Sequence, residues 1–150
     1  MQRMTVTSNS VAMPDWTVFP HQTHDGRPIM VRSRLREPRV REFAETNFMA
    51  RVRCVLPRNQ VDEDQMPLST ASMDEWEDKV LAELETKASQ TYLIAAVTGA
   101  GVRDLFFAAV EGEELIDAVG NVEGNFSFEL QLARIDGPRE GLLNSLTPPQ

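Results

Sequence analysis

Two histidines stand three residues apart beside an aspartate, in His21-x-x-His24-Asp25. Imidazole and carboxylate both ligate metals, but a structural site asks for about four firm donors. The surrounding stretch from Pro20 to Pro28, with Asp25-Gly26 inside it, has turn chemistry, so the pair reads as a solvated loop. Cys54 is the one thiol of the chain. It falls on the apolar side of a strand pattern with no histidine nearby in sequence, and a nucleophilic cysteine needs an adjacent base and partial exposure. An inert core thiol is expected, with no disulfide and no second thiol for a metal. Glu77-Asp78 and Glu113-Glu114 are neighbouring acids, yet successive helix residues point about 100° apart, so neither pair converges on one atom. Gly99-x-Gly101 lacks the third glycine and the following helix of a phosphate loop. No catalytic, cofactor-binding or metal-ligating set follows, and no cofactor is expected.

Charge is the remaining chemistry, and it is unevenly spread. The net charge of −8 divides into +5 over residues 1–58, which hold ten arginines and five acids, and −13 over the other 92 residues. Arg32, Arg34, Arg51 and Arg53 fall at every second position of two strand patterns and form a candidate basic patch. The bland alternative pairs those arginines across a sheet with acidic helices. Glu75, Asp78, Glu83 and Glu85 form a candidate partner-binding face on a helix. A pI near 4.8 opposes phosphate binding over most of the surface. The stretch Val102 to Val110 also lacks the basic-glycine-aromatic signature of RNA-binding sheets, so nucleic acid is not the expected partner.

These residues must be positioned by one helix and the strands after it. Ser72 and Glu75 have capping-box spacing, and Met73, Trp76, Val80, Leu84 and Ala88 recur at helical intervals, with Leu81 widening the stripe. A helix is expected from Ser72 to near Ser89. Tyr92 to Thr98 is an apolar run fit for a strand covered on both faces. Gly99-Ala100-Gly101 then turns it back into Val102 to Val110. A membrane span over 92–110 is excluded by that turn and by Arg103 and Asp104.

Elsewhere, Trp16 to Phe19 and Ile29 to Leu35 suggest a hairpin, with Pro38 stopping its second strand. Residues 39–47 are either a loop or one helical turn carrying Val40 and Phe43. Phe48 to Leu56 alternates as a strand, Glu113 to Val119 carries helix signals before Gly120, and Phe126 to Leu132 alternates again. Met1 to Met13 has no apolar core after Arg3, so the expected reading is a disordered lead rather than a signal or anchor. A single α+β domain over 14–136 and a loose tail over 137–150 complete the organisation. A lone cysteine fits a reducing cytoplasm.

From Phe48 the order is strand, helix, strand, strand, helix, strand. Two interleaved crossovers of this kind predict a ferredoxin-like (split βαβ) sandwich with an antiparallel sheet and an N-terminal β-hairpin extension. Helices on one side leave a second sheet face to be covered by the hairpin or by a second copy of the chain, so a homodimer is an open expectation.

Trp16, Asp25-Gly26-x-Pro28, Leu56-Pro57, Trp76-Glu77-Asp78 and Thr98-x-x-Gly101-x-Arg103-x-x-Phe106 together resemble a bacterial domain-of-unknown-function family, number 695, over about residues 14–110. That family is similar in arrangement to the regulator of ribonuclease E activity B. The resemblance implies the fold and a non-enzymatic, nuclease-binding regulatory role, and it carries no catalytic residue. The alternative is a dimeric small-molecule-binding protein or enzyme with a pocket against the sheet face.

Overall fold

A computed structural model describes residues 15–122 and 126–149. The expected lead over 1–13 lies outside the described residues. In chain order the elements are β1 (Thr17–Gln22), β2 (Pro28–Ser33), α1 (Pro38–Thr46), β3 (Phe48–Val55), a 3-10 turn (Arg58–Gln60), α2 (Ala71–Glu85), β4 (Thr91–Gly99), β5 (Val102–Ala109), α3 (Gly112–Asn121), β6 (Glu129–Arg134) and α4 (Glu140–Ser145). The chain is α+β. Six antiparallel strands form one sheet in the order β1-β2-β4-β5-β3-β6.

The apolar run at 91–99 is central because both its faces are covered. β4 lies between β2 and β5, and a register shift between Leu93 and Ala95 bulges it. The extra residue turns Ile94 and Ala95 toward one hydrophobic cluster while Leu93 and Ala96 join the other. The β4–β5 turn has two central residues, Ala100 at φ 54° and Gly101 at φ 82°. Positive φ at both is the geometry that matches strand twist in a two-residue hairpin. Gly99 is needed for space as well, since a Cβ there would lie 2.7 Å from Ile29 Cγ2.

The connection from β3 to β4 through α2 steps over β5, and that from β5 to β6 through α3 steps over β3. The crossovers therefore interleave. α2 and α3 pack on one sheet face over Ala50, Val52, Cys54, Leu93, Leu105 and Phe107, with Trp76 fully buried at the centre. Phe128 meets the Trp76 ring edge-on at 6.3 Å. The opposite face is packed as well. α1 and α4 supply Val40, Ala44, Leu143 and Leu146 to a second cluster with Val31, Met49, Ile94 and Phe106. The N-terminal hairpin extends the sheet beside β4 rather than covering it.

Several expectations are corrected in detail. The segment 39–47 falls in a helix, Pro38–Thr46, because Pro38 takes its first position and the Glu37 side chain accepts from the Arg39 amide. The helix expected at Ser72 starts at Ala71. Its cap residue is Thr70, whose hydroxyl is committed to Asp74 at 2.9 Å, so the Ser72–Glu75 box does not close the helix. The last strand begins at Glu129, with Phe126 and Phe128 folded against the core before it. The tail expected to be loose from 137 instead forms α4. Its Leu143 is fully buried, and Arg139 donates to the carbonyls of Ala44 and Asn47.

Candidate functional site

The acids of α2 are sorted by helical phase. Glu77 is buried against the sheet and Asp74 sits at its rim, its side chain 55% exposed, and arginines from two strands meet them. Arg32 of β2 donates both Nη atoms to Glu77, at 3.1 and 2.7 Å. Arg103 of β5 donates Nη1 to Asp74 at 2.7 Å and Nε to Thr98 Oγ1 at 3.0 Å, and it stands 3.6 Å from Glu77. Arg103 is 6% exposed and Glu77 7%. Charges this far from water persist only when paired and hydrogen-bonded, and here they lock α2 onto β2 and β5. Burial raises the Asp74 carboxyl, but hydrogen bonds from Arg103 and Thr70 outweigh it and leave the group below the ordinary value of 3.8.

Trp16 lies beside this network, with Arg34 Cζ 3.8 Å and Arg32 Cζ 4.9 Å from its ring. Arg34 also donates to the Leu93 carbonyl at 2.9 Å. Burial and the neighbouring Arg32 lower its affinity for its proton.

The second arginine pair points the other way. Across the sheet Arg32 is opposite Ala96, Ala96 opposite Leu105, and Leu105 opposite Val52. Facing residues share a side, so Arg51 and Arg53, flanking Val52, lie on the side away from α2. Arg53 donates Nε and Nη2 to Asp104 at 2.7 and 2.9 Å. The structure therefore does not gather Arg32, Arg34, Arg51 and Arg53 into one patch. They form two pairs on opposite faces, separated by β4 and β5.

Glu75, Asp78 and Glu85 are exposed and Glu83 half-buried. Glu75 pairs with Lys79 at 3.3 Å along the helix, and Glu83 accepts from Asn121 at 3.4 Å. Among the described residues Asp78 and Glu85 form no ion pair. Exposed Asp62, Glu63 and Asp64 precede the same helix. The outer face of α2 thus presents carboxylates with one local counter-charge.

The other chemical residues disperse. His21 is on β1 opposite Ile29, and His24 is exposed in the following turn. Asp25 there accepts from Thr23 and Arg27. Among the described residues no group of three or more His, Cys, Asp or Glu is placed to hold a metal ion. Cys54 is fully buried, and burial pushes its thiol up to about 12. Glu77 and Asp78 split between the inside and outside of α2. Glu114 accepts from the Ser89 amide at 3.0 Å, while Glu113 reaches toward Arg134 at 3.7 Å. An open cleft of 560 Å³ lies at the hairpin end between Thr23, His24, Arg27, Gln65 and Ala100, away from both arginine pairs. Asp74, Arg103 and Asp104 are the residues sequence reasoning missed. Their signal was charge inside otherwise apolar or helical patterns, and their partners depend on strand register.

No helix among the described residues is long and apolar enough to cross a membrane. No family model, curated protein or solved structure matches the chain.

Proposed function

We propose that this chain is a non-enzymatic, cytoplasmic protein-binding regulator that meets a basic partner, of the kind a nuclease surface offers, through the outer face of α2. The interleaved crossovers support a ferredoxin-like core carrying that helix. One observation carries the reading: Asp74 and Glu77 are engaged by the arginines, while Glu75, Asp78, Glu83 and Glu85 point outward with Lys79 as their only ionic partner among the described residues. A same-sign surface of this kind accelerates encounter with an oppositely charged site and is screened by salt. The alternative, a dimer enclosing a small molecule against the sheet, is less well supported because α1 and α4 occupy much of the face it would enclose.

Pull-down from bacterial lysate at low ionic strength tests the proposal. The expected result is a basic partner released by raised salt and retained poorly by Glu83→Lys or Asp78→Lys. Recovery of no partner, or of one indifferent to both salt and charge reversal, counts against it.

A further inference from the structure

We infer that the sheet face opposite α2 carries a subsite for an oxyanionic group, phosphate or carboxylate, held between Arg51 and Arg53. The two arginines alternate on β3 and share that face, so their Cα atoms stand about 6.7 Å apart, close enough for both guanidinium groups to reach one anion. Two acids share this face: Asp104 is spent on Arg53, whose Nε and Nη2 it accepts, and Glu129, opposite Val55, accepts from Gln131. Arg53 keeps Nη1 and a side chain 32% exposed.

Arg51 has no such partner among the described residues. Its Nε is buried, and no acceptor among the described residues reaches it. The residues facing it across the strands are Phe106 and Ala133, whose side chains accept nothing. Diagonal from it, Gln131 donates to Glu129 at 2.8 Å. A half-buried guanidinium without an acceptor forfeits solvation that only a charged acceptor returns in full. Its planar fork fits an oxyanion better than a spherical ion. The subsite is on the far side of the sheet from the acidic helix, so it is independent of the protein partner proposed above.

The test is titration of the full chain with inorganic phosphate and, separately, acetate, at ionic strength held constant with sodium chloride. It is read from the arginine Nε–H signals in ¹H–¹⁵N spectra. Saturable movement of the Arg51 and Arg53 signals is expected, weakened about tenfold in Arg51→Gln, which matches the loss of one charge-assisted hydrogen-bonded contact. Arg58→Gln, which alters an exposed arginine outside this face, should leave the response unchanged. Tighter response to phosphate assigns a phosphate-bearing ligand, and tighter response to acetate a carboxylate. Signals that drift without saturating, or that respond equally in Arg51→Gln, overturn the inference. The wild-type spectra decide this even if the variant does not fold.

Discussion

On the sheet face beneath α2, Arg32 and Arg103 meet Asp74 and Glu77, with Arg34 beside them against Trp16. On the opposite face Arg53 meets Asp104, Glu129 accepts from Gln131, and Arg51 forms no ion pair among the described residues. The acids of the first face come from a helix, at sequence separations of 45 and 29 residues. The acid that pairs with Arg53 comes from the adjoining strand. A helix can turn its carboxylates inward or outward by phase, so α2 supplies acids to Arg32 and Arg103 and still leaves others outside. A strand offers one residue per facing position, and on the second face the register leaves Arg51 opposite Phe106 and Ala133 rather than an acid.

The comparison is broken or sharpened by substitution. The largest effect is expected from Trp76→Ala, which empties the centre of the α2 layer and should cost about 3–5 kcal/mol in urea denaturation. Trp76→Phe should cost far less than the lost area implies, because the buried indole N–H has no acceptor among the described residues. Next, Arg103→Leu should cost about 3 kcal/mol by leaving Glu77 and Asp74 short of a buried partner. Arg53→Leu should cost about 1–2 kcal/mol, since Asp104 loses one more exposed partner. Equal losses would erase the distinction between the faces.

A smaller effect is tied to pH. Asp74 has a lower carboxyl value folded than unfolded, so its contribution is present above about pH 4, near the ordinary 3.8, and is lost as pH falls through the depressed folded value. The wild-type denaturation midpoint should therefore fall more steeply below pH 4 than that of Asp74→Asn. Parallel profiles would show that the Arg103 contact does not stabilise the charged form.

Much of this architecture was legible because it rests on periodicity. Met73, Trp76, Val80 and Leu84 announced the buried face of α2, and the apolar run through Leu93 to Ala96 announced a strand covered twice. α1 was not legible, since a proline at 38 reads equally as a strand stop and as a helix start. α4 escaped because six residues are too few to display a period. Leu130 and Leu132 obey strict alternation yet stay 37% and 38% exposed, because β6 is the sheet edge. The arginine pairs were located but not oriented. Alternation shows that β2 and β3 each have a polar side, and only the register across β4 and β5 shows that those sides are opposite.

The division of α2 into structural and outward acids is tested most directly by urea denaturation of two neutralised variants side by side. Replacing Glu75, Asp78, Glu83 and Glu85 together with Gln or Asn should change stability by no more than about 1 kcal/mol, given one i,i+4 pair and one exposed hydrogen bond at stake. Replacing Asp74 and Glu77 together should cost several times as much, because Arg103 then loses both acids and Arg32 loses its bidentate partner. If the outward set proves as destabilising as the inward one, those four carboxylates hold the fold together and are not kept for a partner.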